Sequence, residues 1–412
     1  MRGPWGAVIL AAVALFCSAA TAQARAPAQG PEGALLLIDA DNGAVLQAEN
    51  ATHPWYPASL TKVMTAYLVF EALADGRLKF DDKVPVSRYA ALQDPVKLGL
   101  GIGKQVRVKS LLEAMLVMSA NDAAVVLAEA IAGSEAVFAE MMTRKARQLG
   151  MTGTIFRNAS GLPDPDQVTS ARDLAILARA VITSFPEHYG YFSRDHFSVS
   201  REVHPSTNGW VRAYPGAEGL KTGFTCGSGY NLIGAATREG RRLIGVVLGA
   251  TSSGARNARM SQLMDGGFAS LSDLSDVQLH AVKVGALPWE PVGAAPFVLS
   301  GKRCKVDATP VKYTAEDDGT LPGWGMIFGA FPSRSEAGSV LERNVEAVKG
   351  LVGEARPVIL PKIKGTPLRY TALLVGLDQR GAGQACQQLR ERGVFCQAMP
   401  PAALNNPQAL WR

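Results

Sequence analysis

Ser59 and Lys62 stand three residues apart in Pro57-Ala58-Ser59-Leu60-Thr61-Lys62, at the head of an apolar-periodic run that reaches about Ala74. On a helix this spacing puts both side chains on one face, roughly 5–6 Å apart at Cβ. Pro57 suits the start of a helix, and the first turn leaves backbone N–H groups without intrahelical partners. A serine nucleophile needs a base one turn away and donors that can hold an oxyanion. Alone the pair is weak, since Ser-x-x-Lys arises by chance about once in a chain of this length. Two further elements follow in order: Ser119-Ala120-Asn121 and, later, Lys221-Thr222-Gly223 in a strand-like stretch. For a lysine so late in the chain to face Ser59, the first and last segments of the unit must come together. Ser206-Thr207-Asn208 also reads Ser-x-Asn, but it lies too close to Lys221 to leave room for intervening helices, so Ser119 is preferred.

The surrounding pattern supplies the means. Ala34–Asp39 and Gly43–Ala48 are apolar runs joined across Asp41-Asn42-Gly43, and Asn-Gly between such runs signals a hairpin. The Ser59 helix follows and stops at Asp75-Gly76. Val84–Val108 is Gly-rich, broken by Pro85 and Pro95, and reads as a loop region near the site mouth. Leu111–Met118 and Asn121–Ala132 read as helices, the second ended by Gly133. Ser134 caps a third helix that stops at Gly150, and Thr169 caps a fourth through Ile182. Gly219–Thr225, Tyr230–Ala236 and Leu243–Ala250 read as strands, with Glu239-Gly240 turning the last pair and a helix over Arg256–Phe268 closing the unit. Strands, a helical block and strands again predict an α+β unit whose first and last segments pair in one sheet around inserted helices.

These residues carry a resemblance. Ser-x-x-Lys, Ser-x-Asn and Lys-Thr-Gly in this order form the motif set of penicillin-binding proteins and class A β-lactamases. Residues 30–268 resemble the D-alanyl-D-alanine carboxypeptidases, the low-molecular-weight penicillin-binding proteins. The matching stretches are Ala58–Thr65, Ser119–Ala124, Leu149-Gly150-Met151, Asn158-Ala159-Ser160-Gly161-Leu162 and Gly219–Thr225. The resemblance implies a β-lactamase/transpeptidase-like fold and penicillin-sensitive removal of the terminal D-Ala from peptidoglycan stem peptides. It also assigns roles. Ser59 would be acylated, and Lys62, lowered by burial and by the charge of Lys221, would take its proton. Ser119 would pass a proton to the leaving amine, and Asn121 would orient Lys62 and the substrate amide. Lys221, Thr222 and Arg256 would hold the terminal carboxylate, and the N–H groups of Ser59 and Phe224 would form the oxyanion hole. As residues alone, Ser119 and Asn121 read equally as helix caps, Lys221 and Thr222 as edge-strand residues, and Arg256 as a surface arginine. No glutamate occurs between Glu140 and Glu187, where a class A lactamase supplies its deacylating one. That favours a carboxypeptidase, with β-lactams as inhibitors. A DD-endopeptidase on cross-links would use the same residues, and a non-catalytic wall-binding protein is the reading from another class.

At 412 residues the chain is long for one core. Residues 1–24 read as a signal peptide cleaved after Ala22-Gln23-Ala24, which predicts export, to a periplasm and possible septal, wall-associated sites. Residues 25–268 form the peptidase unit. The proline-interrupted stretch 269–320 is a linker, and 401–412 a tail. Residues 321–400 read βαββαβ and resemble the SPOR (sporulation-related repeat) domain, a peptidoglycan glycan-binding module, on Trp324–Phe331. That family often has Gln where Ile327 stands. The formal charge of +6, or +5 without Arg2, gives no basic run suited to nucleic acid. The scattered histidines and the absence of Cys-x-x-Cys predict no metal and no cofactor. Export permits a disulfide, for which Cys386 and Cys396 are the candidates; the alternative is two separate buried thiols.

Overall fold

The computed structural model describes residues 33–164, 166–199, 202–273, 282–288, 321–331, 334–353, 355–361 and 370–405. The expected signal peptide, the tether behind it and most of the linker lie outside the described residues. A continuous apolar run, buried at every position, forms β1 (Ala34–Asp39), paired antiparallel with β2 (Val45–Glu49). A short 3-10 turn over Ala58–Leu60 leads into α1 (Thr61–Ala74). The expected loop region holds more order than its composition suggested. It contains β3 (Lys83–Pro85), the one-turn α2 (Arg88–Ala91) capped by Ser87, and β4 (Gln105–Arg107), which pairs with β3. Helix α3 (Val108–Glu113) continues as a π-turn over Ala114–Met118. Then come α4 (Asn121–Ala132), α5 (Glu135–Gln148) and α6 (Ala171–Ser184). The cap of α6 is Ser170, whose hydroxyl accepts from Asp173 N–H, and not Thr169. Thr169 instead exchanges backbone bonds with Trp55.

After α7 (Pro186–Tyr189), the hairpin β5 (His196–Val199) and β6 (Glu202–Pro205), and α8 (Gly209–Ala213), the chain returns to long strands. These are β7 (Ala217–Thr225), β8 (Gly229–Arg238) and β9 (Arg241–Ala250), followed by α9 (Ser253–Asp273). The sheet order is β2-β1-β9-β8-β7. β1 pairs antiparallel with β9, from Ala34 opposite Leu248 to Asp39 opposite Leu243. Both faces are buried, and period two sorts the side chains between them. Leu36, Ile38, Ile244 and Val246 join the core beneath the helical block, whereas Leu35, Leu37, Leu243 and Val247 pack with Trp210, Met260 and Met264 on the α9 side. The pairing leaves β7 as the sheet edge nearest the 3-10 turn that carries Ser59.

Residues 282–288, expected within the linker, dock against the strands and helices that precede them: Val45 N–H donates to Val282 O, and Arg172 Nη2 donates to Gly285 O at 2.9 Å.

The C-terminal stretch follows its expected order as β10 (Trp324–Phe331), α10 (Arg334–Val352), β11 (Arg356–Pro361), β12 (Tyr370–Leu377), α11 (Gln379–Glu391) and β13 (Gln397–Met399), then the single turn α12 (Pro401–Leu404). Its antiparallel sheet runs β11-β12-β10-β13. Met326, Phe328, Leu341, Leu374, Cys386 and Leu389 form its core on the helical side. Cys386 and Cys396 are joined by a disulfide, their Cα atoms 5.1 Å apart. The other face of this sheet carries Ile327, Leu373 and Val375, which pack with Leu321, Met399 and Leu404.

Candidate active site

The 3-10 turn places Ser59 at the cleft, partly exposed, one turn before fully buried Lys62. Lys62 Nζ lies 3.0 Å from Ser59 Oγ, 2.7 Å from Asn121 Oδ1 and 2.5 Å from the Ser160 carbonyl oxygen. An ammonium would donate all three of its protons. A neutral amine has two protons and one lone pair. Asn121 Oδ1 and the Ser160 carbonyl can only accept, so they take both N–H groups and leave the lone pair toward the Ser59 hydroxyl. Burial, and then the nearby Lys221 charge, hold Lys62 well below the usual lysine range, while Glu135 and Asp122 oppose this. The arrangement can therefore take a proton from Ser59.

The second motif sits where the π-turn ends. Ser119 adopts a left-handed backbone, φ 71°, an uncommon conformation for a residue with a Cβ. This turn aims a buried hydroxyl at the cleft, with no hydrogen-bond partner among the described residues. Two residues on, Asn121 joins Lys62 to the lip of the site: its Nδ2 donates to Asp94 O at 2.8 Å and its N–H to Val96 O. The Asp122 carboxylate accepts from the N–H groups of Leu98, Gly99 and Leu100. The loop before α3 is thus pinned to the first turn of α4, which is why it stands at the mouth.

The third motif lies on the edge strand. Lys221 is fully buried, and burial with the nearby Arg256 guanidinium lowers it to about 7. Arg256, near the start of α9, is itself buried and lowered to about 10 by burial. Gly223 lies against the 3-10 turn that carries Ser59: a Cβ there would stand 3.1 Å from Ser59 N and 3.2 Å from Pro57 O. A side chain here would need the turn to yield by a few tenths of an ångström, which glycine avoids. Phe224 follows, 44% exposed, its ring 4.2 Å from that of Tyr230. The cleft between these parts is lined by Ser59, Ser119, Asn121, Val96, Leu162 and Phe224, among others.

Sequence reasoning named Ser59, Lys62, Ser119, Asn121, Lys221, Thr222, Phe224 and Arg256; of these Ser59, Ser119, Asn121 and Phe224 line the cleft, Lys62 bonds Ser59 and Asn121 from beneath, and Lys221, Thr222 and Arg256 are buried on β7 and α9. It missed the Ser160 carbonyl, a contact that no side-chain type announces, and buried Glu135 behind it. The 158–162 stretch was itself legible, and its Gly161 explains the fit: φ is 83°, and a Cβ would lie 1.9 Å from Ala58 O. The rejected Ser206-Thr207-Asn208 also borders this region, with Thr207 Oγ1 3.4 Å from Thr222 Oγ1. Among the described residues no group of His, Cys, Asp and Glu could hold a metal.

A profile of the D-alanyl-D-alanine carboxypeptidase family matches residues 20–252, more than half of the chain. The chain belongs to this family. Its D-alanyl-D-alanine carboxypeptidase domain is 37% identical over 239 residues to DacF of Bacillus subtilis and 36% identical over 263 residues to DacC of Escherichia coli. These matches cover 57% and 62% of this chain, and the chain spans 61% and 66% of the length of those relatives. Among solved structures the family domain is similar to penicillin-binding protein 5 of Haemophilus influenzae, with 38% identity and a TM-score of 0.55, covering 57% of this chain and 70% of that one. It is also similar to penicillin-binding protein D2 of Listeria monocytogenes in its ampicillin-bound form, with 36% identity and a TM-score of 0.53, covering 57% and 96%. The fold is accordingly the mixed helix-and-sheet fold of penicillin-binding proteins.

Proposed function

We propose that this chain is an exported serine D-Ala-D-Ala carboxypeptidase that trims peptidoglycan stem peptides and is acylated by β-lactams. The observation that carries the reading is the Lys62 amine, 3.0 Å from Ser59 Oγ with both its N–H groups occupied elsewhere. Neutral Lys62 takes the Ser59 proton as Oγ attacks the carbonyl of the penultimate D-Ala. The N–H groups of Ser59 and Phe224 receive the oxyanion. The proton passes through Ser119 to the leaving nitrogen, the peptide bond breaks, and D-Ala departs with its amine restored. Water then attacks the ester, gives up a proton along the same route, and Ser59 Oγ leaves reprotonated. Lys221, Thr222 and Arg256 face the terminal carboxylate; its negative charge favours the protonated form of Lys221. Asn121 fixes Lys62 and meets the substrate amide.

For residues 321–400 we propose peptidoglycan binding on the strength of the SPOR resemblance and their separate core. Ile327 is 8% exposed, packed in a cluster with Leu321, Leu373, Met399 and Leu404, so contact through that residue would require this cluster to open. A periplasmic and septal location follows from this reading.

One experiment reads these assignments together. Purified sacculi are incubated with the full chain and with Ser59→Ala. Release of free D-alanine by the wild type alone supports the carboxypeptidase. Loss of cross-linked dimers without D-alanine release would point to an endopeptidase, and neither product to a wall-binding protein. Co-sedimentation of penicillin-blocked full chain, lost on removing residues 321–412, supports the glycan module.

A further inference from the structure

We propose that Glu135 is a positioning residue for acyl transfer, whose buried carboxylate holds the Ser160 carbonyl on Lys62 Nζ through the intervening backbone. The inference rests on the reading of Lys62 as the base. Glu135 opens α5 behind the Ser134 cap, yet its side chain turns inward and is buried. One carboxylate oxygen accepts from Ala159 N–H at 2.9 Å, and the other accepts from Tyr89 Oη at 2.5 Å. Ala159 O in turn accepts from Thr65 Oγ1 at 2.7 Å, and the next carbonyl, that of Ser160, accepts from Lys62 Nζ. The 159–160 backbone is therefore gripped from α5 and α1 together, and the grip sets the position of one of the two acceptors that orient the Lys62 lone pair.

A glutamine at 135 could accept from the same N–H. Burying a carboxylate instead costs free energy that an amide would not. Burial accordingly raises the Glu135 carboxyl above its usual range, while the Tyr89 hydroxyl, the Ala159 N–H and the Lys62 charge work against that rise. Lys62 is therefore the cation that would answer a charge at this position. It is buried and faces Lys221 from β7, with Asp122 of α4 and Glu135 of α5 as the opposing carboxylates. Burial and Lys221 alone would leave a weak base, and a general base works best when its pKa lies near the working pH. Glu135 restores basicity to Lys62 while fixing its acceptor. Tyr89 of α2 and Glu129 of α4 are the other titratable groups acting on this carboxylate or its partner. Glu129 accepts from Ser87 Oγ at 2.7 Å, whereas the carboxylate that accepts from Ala159 N–H is that of Glu135.

The test is single-turnover acylation by a fluorescent penicillin between pH 5 and 10, for the full-length wild type, Glu135→Gln, Glu135→Ala and Glu129→Gln, with thermal melts to confirm folding. Glu135→Gln keeps an acceptor for Ala159 but loses the charge, so its rising limb is expected at lower pH than in the wild type. Glu135→Ala loses the anchor, and its plateau rate is expected to fall about 10²-fold, the scale of a small misplacement of reacting groups. Glu129→Gln is expected to leave the limb in place. A folded Glu135→Ala variant at the wild-type plateau rate, a folded Glu135→Gln variant on the wild-type profile, or an equal shift in Glu129→Gln, would overturn the proposal. Absence of acylation in the wild type would overturn the underlying reading instead.

Discussion

At the scale of the residue, the chemistry reduces to where two protons on one nitrogen go. In the proposed mechanism Asn121 Oδ1 and the Ser160 carbonyl, 2.7 and 2.5 Å from Lys62 Nζ, accept them, and Ser59 Oγ at 3.0 Å meets the lone pair of the neutral amine. Lys221 works in the opposite sense, because it holds a carboxylate only while protonated, and in the free protein it is lowered to about 7. For a peptide ending in D-Ala-D-Ala, kcat/KM should rise with pH as Lys62 loses its proton and fall as Lys221 loses its own above about 7. Bound carboxylate favours protonated Lys221, so the falling limb should lie at higher pH in kcat than in kcat/KM. A flat kcat/KM between pH 6 and 10 would contradict the neutral-lysine account. Ser59, Lys62, Ser119, Asn121 and Lys221 were legible because each belongs to a spaced motif. The Ser160 oxygen was not, because a backbone carbonyl has no residue type. Glu135 was not, because in sequence it looks like an ordinary acidic residue in the first turn of a helix, where the helix dipole welcomes one.

At the scale of the element, the site depends on turns that only certain residues tolerate. The 3-10 turn that carries Ser59 is pressed between β7 and the 158–162 segment, with glycine at each contact, Gly223 on one side and Gly161 on the other. Gly161→Ala must relieve both a backbone clash with Ala58 O and a φ of 83°. A residue forced into such a region costs about 1–3 kcal/mol. The variant should melt at lower temperature and acylate more slowly; a wild-type melt and rate would show that the segment yields freely. The strands, the helical block and the stop glycines were readable from periodicity and punctuation. The β3–β4 pairing and α2 were not, since they are one turn or three residues long and sit among prolines and glycines that read as loop. The α6 cap was misplaced by one residue because Thr169 and Ser170 are both good caps, and the tertiary pairing of Thr169 with Trp55 decides between them.

At the scale of the whole molecule, each of the two sheets is packed on both faces, the first against the helical block and α9, the second within residues 321–405. The second sheet was legible in the change of pattern after α9. The packing of Ile327 with Leu404 was not, because the short α12 turn that carries Leu404 lies in what reads as a tail. The proposed function stands or falls on whether the residues of the three motifs make Ser59 a nucleophile. The most direct test is intact-mass measurement of the folded chain after exposure to benzylpenicillin, followed by peptide mapping. The account predicts a stoichiometric penicilloyl adduct on the peptide that contains Ser59, abolished in Ser59→Ala. A folded wild type that stays unmodified, or an adduct that persists in Ser59→Ala, would contradict it.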